Sequence, residues 1–203
     1  MRHALFSGLS ICFILAFVGV GAGFLWILNE ARAPSPLKTE KLIEVPAGAS
    51  VKGIAHLLEK QETIKSALAF EIYTRVFVGE EPLQAGEYII RPEMSINDIV
   101  RKLQAGKIHL HKLIIPEGFT NYQIRELIEN QPLLKGEIEA IPPEGYLLPE
   151  TYSFRKGLDR QILIDRIHNA KKDFLSEVWS QRQDDLPFES VEEAVTLASI
   201  VEK

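Results

Sequence analysis

Ala4–Leu28 is a run of 25 residues without a charge, and its only hydroxyl side chains are Ser7 and Ser10. As a helix it would be about 37 Å long, enough to cross a bilayer with some tilt. A helix apolar on every face cannot lie on the surface of a small soluble domain, so the run predicts either a membrane span or a secretory signal. Signal h-regions are shorter, roughly 7–15 residues. The flanking A-x-A at Ala31–Ala33 is followed by Pro34, a poor neighbour for a cleavage site. Gly19, Gly21, Ala22 and Gly23 leave an internal cleavage open. Residues 1–28 are therefore expected to form an uncleaved single-pass anchor. Charge does not orient it well, because Arg2 precedes the span while Arg32, Lys38 and Lys41 follow it.

Beyond the span the sequence is globular. Hydrophobic residues make up 46% of the chain, part of them in the apolar run, and the whole is more than a disordered chain carries. The formal net charge of −5 comes with no basic run, which argues against a nucleic-acid partner. Cys12 is the single cysteine and lies inside the apolar run, so no intrachain disulfide can form. His109 and His111 stand two apart, as on one face of a strand, but no third ligand follows at a metal-site spacing. No phosphate-binding glycine loop or nucleophile elbow occurs, so neither cofactor nor metal is expected.

Residues 29–41 (N-E-A-R-A-P-S-P-L-K-T-E-K) are polar with two prolines and read as a linker. A weak repeat follows. Ser50, Ile54 and Leu58 share their spacing with Ser95, Ile99 and Leu103, and with Thr120, Ile124 and Ile128. Each hydroxyl is a plausible N-cap, and each aliphatic pair lies on one helical face. Short strands ending in proline turns are predicted before Pro46 and, at Leu110–Ile115, before Pro116, with a further strand at Gly86–Ile90. Ser66–Phe77 has helical periodicity through Leu68, Ile72 and Val76. A long helix is predicted from Asp159 to about Arg182, with Ile162, Ile164, Ile167, Phe174, Val178 and Trp179 on a broad apolar face.

Two stretches carry possible chemistry. Ser190 and Glu193 form a capping-box signature opening a helix through S-V-E-E-A-V-T-L-A-S-I-V-E-K. On that helix Val191, Val195, Ala198 and Glu202 fall within about 60° of one another. A carboxyl among apolar neighbours loses anion hydration, so its pKa rises and it can serve as a general acid. A solvated glutamate is the other reading of Glu202. Residues 144–152 (E-G-Y-L-L-P-E-T-Y) combine Glu144 and Glu150 with Tyr146 and Tyr152, groups suited to stacking on sugar rings and bonding their hydroxyls. The alternative there is a structural turn shaped by Gly145 and Pro149 with packed tyrosines.

Taken together, E-G-Y-L-L-P-E-T-Y at 144–152 and L-A-S-I-V-E-K at 197–203 resemble the endolytic murein transglycosylase family, membrane-anchored lytic enzymes of bacterial cell walls. The resemblance implies that Glu202 is the catalytic acid/base, that peptidoglycan glycan strands are the substrate, and that no metal is needed. Cleavage would fall at the MurNAc–GlcNAc bond of nascent strands during wall synthesis and leave 1,6-anhydroMurNAc ends. The bulk of the chain would lie outside the bacterial cytoplasmic membrane, near cell-wall synthesis proteins. It also implies the fold: α+β, with a single transmembrane helix, a LysM-like sugar-binding α/β module at 42–113 and the start of a catalytic domain at 114–203. In the family that domain continues into Gln-Thr-Asp-Pro and Tyr-Asn-Thr-Tyr segments, which this sequence lacks, so an incomplete catalytic domain is expected. The competing expectation is therefore a non-catalytic, membrane-anchored wall-binding or scaffold protein.

Overall fold

The uncharged run is helical. In the computed structural model, which describes residues 2–79, 81–183 and 186–201 with side chains from residue 14 onward, helix α1 runs Arg2–Arg32. Its stretch Ile14–Arg32 is long and apolar enough to cross a membrane, a property that a signal sequence shares. Two compact units divide the chain, Met1–His109 and Leu110–Lys203.

The first unit takes its order from local chemistry. Strand β1 (Lys41–Val45) alternates, burying Ile43 and Val45. Ser50 then caps α2 (Val51–Lys60), its Oγ accepting from the Gly53 N–H at 3.1 Å. Ser66 caps α3 (Ala67–Tyr73), which widens into a single π turn, Thr74–Val78. Strand β2 (Gly86–Ile90) returns antiparallel to β1, placing Ile43 opposite Tyr88. Ser95 opens α4 (Ile96–Gln104) with a full capping box, the Asp98 carboxylate accepting from the Ser95 N–H. Ile54, Leu58, Ile99 and Leu103, the paired aliphatics of the repeat, are all buried with Phe70 and Tyr88 in one core. Each such side chain contributes roughly 1.5–3 kcal/mol by leaving water.

Two sequence expectations fail in this unit. Residues 29–41 do not behave as a linker. α1 continues through Arg32, with Ala31 fully buried. Beyond it the Ser35 N–H donates to the Met94 carbonyl (2.9 Å), and the Ser35 Oγ donates to the Thr63 carbonyl (2.7 Å). Proline and charge rule out continued helix but not tertiary hydrogen bonds, which composition cannot register. The apolar stripe on α3 is likewise not the core stripe. Ala67, Phe70 and Thr74 are buried, whereas Leu68 and Val76 are exposed.

The second unit pairs β3 (His111–Ile114) with β4 (Thr151–Phe154), antiparallel, with Leu113 opposite Tyr152. No sequence signal predicted β4. Because β3 pairs here, residues 110–113 belong structurally with this unit. His109 instead donates its N–H to the Glu87 carbonyl of the first unit, so His109 and His111 do not share a strand. Thr120 caps α5 (Asn121–Glu129) with a box through Gln123. Asp159 caps α6 (Arg160–Ser180). The Arg160 guanidinium donates to the carbonyls of Ile128, Glu129, Gln131 and Gly136, satisfying the open C-terminal end of α5. Of the apolar face predicted for α6, Ile164 and Ile167 join the core, while Ile162, Phe174 and Val178 are exposed. α7 covers Val191–Val201; the Ser190 Oγ accepts from the Glu193 N–H (3.2 Å). Helices and antiparallel pairs in both units make the chain α+β.

Candidate functional site: a groove between the 144–149 segment and helix α7

A groove of about 440 Å³ opens in the second unit. Four pieces of chain wall it. Gly118, Phe119 and Thr120 supply the lead into α5. Glu144, Gly145, Leu147 and Pro149 supply the segment singled out in the sequence. Lys171 comes from α6, and Val195, Thr196 and Ser199 from α7.

Asn121 builds the first junction. Its side-chain amide is nearly buried and donates to the carbonyls of Pro142 (2.7 Å) and Pro143 (3.0 Å). Both Glu144 carboxylate oxygens accept from the Asn121 N–H, at 3.0 and 3.2 Å. A carboxylate at the first turn of α5 also meets the positive end of the helix dipole. Glu144 therefore lines the groove and holds α5 to the loop.

Gly145 builds the second junction. It sits at φ +82°, and a β-carbon there would meet the Val195 Cγ1 at 2.9 Å. Only a residue without a side chain lets the segment approach α7 this closely. Tyr146 adds two contacts. Its hydroxyl donates to the Glu192 carboxylate at a long 3.4 Å, and its ring meets His168 edge-on. Burial and then the Glu192 charge push the Tyr146 pKa up. Burial and then the Lys172 charge push that of His168 down, against Asp165.

The other two candidates of this segment lie elsewhere. Glu150 is exposed; its carboxylate accepts from the Thr151 N–H and its carbonyl from the Ile115 N–H. Tyr152 is buried in the core, its hydroxyl donating to the Leu148 carbonyl (2.9 Å) and its ring facing the Arg166 guanidinium. Burial, reinforced by the Glu150 charge and opposed by Arg166, pushes its pKa up to about 12. It is a neutral hydrogen-bond donor that ties the turn at Leu148 to β4. Glu202 lies outside the described residues.

Sequence reasoning did not find Phe119, Lys171 or Thr196. Phe119 follows the Pro116–Gly118 turn, whose residues signal a change of chain direction and no site. Lys171 and Thr196 sit among ordinary polar helix positions and carry no local signal. The groove presents hydroxyls (Thr120, Thr196, Ser199), a carboxylate, an ammonium and one aromatic ring, the mixture that suits a polyhydroxylated ligand with apolar ring faces. Among the described residues no three His, Cys, Asp or Glu side chains come together as a metal site would require.

The sequence profile of the YceG-like family matches residues 43–203. The chain belongs to the YceG-like family. It is 28% identical over 242 aligned positions to an endolytic murein transglycosylase of Streptococcus pneumoniae, covering 96% of this chain and 43% of that protein. To the endolytic murein transglycosylase of Bacillus subtilis it is 27% identical, covering 91% and 59%. A crystallised yceG-like protein from Listeria monocytogenes is 29% identical, with a TM-score of 0.39, covering 71% of this chain and 57% of that one. This YceG-like chain thus spans about half the length of the curated relatives it matches.

Proposed function

We propose that this YceG-like chain acts in the lytic cleavage of peptidoglycan glycan strands, with the groove in the second unit holding the strand and Glu202 as its acid/base. The observation that carries the proposal is the α7 wall. Val195, Thr196 and Ser199, on the helix whose sequence leads into S-I-V-E-K, line the groove. A carboxyl among apolar neighbours is less well hydrated as an anion, which favours its protonated form.

The chemistry needs one such group. Protonated Glu202 gives its proton to the oxygen leaving the MurNAc anomeric carbon as that bond breaks. The resulting carboxylate takes the proton of the same sugar's 6-hydroxyl, whose oxygen attacks the anomeric carbon. The product is a 1,6-anhydroMurNAc end, and the carboxyl is regenerated. Because the nucleophile belongs to the substrate, its orientation supplies much of the rate.

The rest of the reading follows the same line. α1 anchors the protein in the bacterial cytoplasmic membrane with the two units outside. The first unit serves as a LysM-like glycan-binding module, supported by its two antiparallel strands with α2 and α3 between them in sequence. Nascent strands made at the membrane are the substrate, and the wall-synthesis machinery is the neighbour. Incubating the purified protein with glycan strands and analysing muropeptides tests the core of this. Anhydro ends are expected from a chain that carries this sequence together with the family's Gln-Thr-Asp-Pro and Tyr-Asn-Thr-Tyr segments. Glu202→Gln should form them at least about 100-fold more slowly with an unchanged melting curve. An undiminished rate in that variant would overturn the assignment of Glu202. Co-sedimentation with peptidoglycan and no anhydro product from that extended chain would favour the wall-binding or scaffold reading.

A further inference from the structure

We propose that the π turn Thr74–Val78 is a membrane-seating element that dips Val76 and Phe77 into the lipid headgroup–acyl boundary and fixes the first unit on the bilayer. This rests on α1 being a retained anchor. Val76 is 60% and Phe77 46% exposed, although both are apolar. Phe77 is not free of the anchor. Its ring lies 5.7 Å from that of Phe24 in α1 and stacks on Tyr73 at 5.2 Å. Tyr73 in turn bonds Asn97 of α4 (2.9 Å), so the turn is tied to the folded unit as well as to the anchor.

Depth follows from the helix. The uncharged run ends at Leu28, and Asn29 and Glu30 are the first strongly polar residues after it. Phe24 precedes Asn29 by five residues, about 7.5 Å of helix rise. Apolar faces of interfacial helices bury about 5–10 Å into the headgroup–acyl boundary. Phe77, held against Phe24, stands at that depth without any rearrangement. Exposed Trp26 sits at the same level, as interfacial aromatics do. The charge next to the apolar pair is compensated, because Arg75 pairs with Glu71 at 2.8 Å. Gly79, at φ +77°, bends the chain before Glu81. The last turn of α1 is locked into the unit by Ala31, fully buried, and by Ile27. The bilayer is therefore the occupant that the geometry brings to Val76 and Phe77.

The test is a depth measurement on the whole chain in vesicles of mixed zwitterionic and anionic lipid. Cys12→Ser removes the native thiol. Single cysteines then replace Val76, Phe17 in the span, and exposed Lys52 of α2, each carrying an environment-sensitive fluorophore. The label at position 76 should be quenched by lipid-borne nitroxide and shielded at least about threefold from an aqueous quencher, relative to position 52. Quenching at 17 with full aqueous access at 76 would sink the seating while leaving the anchor intact. Aqueous access at both would sink the anchor and the seating with it. Shielding at 76 that appears only at high protein density, without nitroxide quenching, would identify a second copy as the occupant and overturn the proposal.

Discussion

A methyl group added at Gly145 would meet the Val195 Cγ1 at 2.9 Å, and the backbone there is left-handed. Gly145→Ala is expected to cost about 1–2 kcal/mol from the backbone alone and to push α7 off the 144–149 segment. Urea unfolding gives the energy, and faster amide exchange in α7 reports the displacement. Adding Val195→Ala should restore the exchange protection but not the backbone cost. Tyr152 gives a pH signature. Its folded pKa of about 12 lies above the ordinary tyrosine value near 10. Protons are therefore lost first from the unfolded chain. The contribution of Tyr152 is complete below pH 10 and disappears as pH rises toward 12. Tyr152→Phe should flatten that alkaline decline, and difference absorbance of the phenolate should lose its latest-titrating component. The tyrosines of 144–152 looked alike in the sequence; only burial separates Tyr146, beside the groove, from Tyr152, in the core.

Helix starts were readable because an N-cap is a three-residue affair. Ser50, Ser95 and Thr120 each bond the N–H three positions on, as their spacing suggested. Ser95 has most at stake, since its Oγ also meets Asp98 at 2.6 Å. Those side-chain and backbone bonds from Ser95 hold the Asp98 pKa below the usual carboxylate range. A depressed carboxylate stabilises the fold above the unfolded value near 4 and loses that contribution as pH falls through the folded one. Ser95→Ala should cost about 1 kcal/mol at neutral pH and shift the Asp98 titration upward, as carboxylate chemical shifts would record. β4 was not readable. Its partner β3 is distant in sequence, with Leu113 facing Tyr152, and four residues of T-Y-S-F offer too short an alternation to stand out. The α3 stripe misled because the core chose Phe70 and two alanines over Leu68 and Val76, a preference set by neighbours from α1 and α2 rather than by periodicity.

At the scale of the molecule, the composition of residues 29–41 pointed to independence from the first unit, and the structure ties them to it. A fragment spanning 33–109 should therefore melt cooperatively and at a higher temperature than one spanning 42–109, which loses both Ser35 hydrogen bonds and the Leu37 contact. Calorimetry of the two fragments distinguishes them; equal melting temperatures would mean the segment adds nothing. The groove was only partly legible for the same reason. Its walls come from four places between Gly118 and Ser199, and their meeting depends on tertiary bonds such as those of Asn121 and the missing side chain at Gly145.

The pinned segment also changes how such a protein would search. Thirteen flexible residues would give an r.m.s. reach of about 20 Å, letting a tethered module sweep a hemisphere above its anchor. With α1 running unbroken into the first unit and Ser35 bonded on both sides, that slack is gone. In a membrane-anchored protein the height of the first unit would then be set by helix geometry, to within a few ångströms. Exploration would become two-dimensional, by lateral diffusion in the plane of the bilayer. Only ligands presented at that fixed height would be sampled.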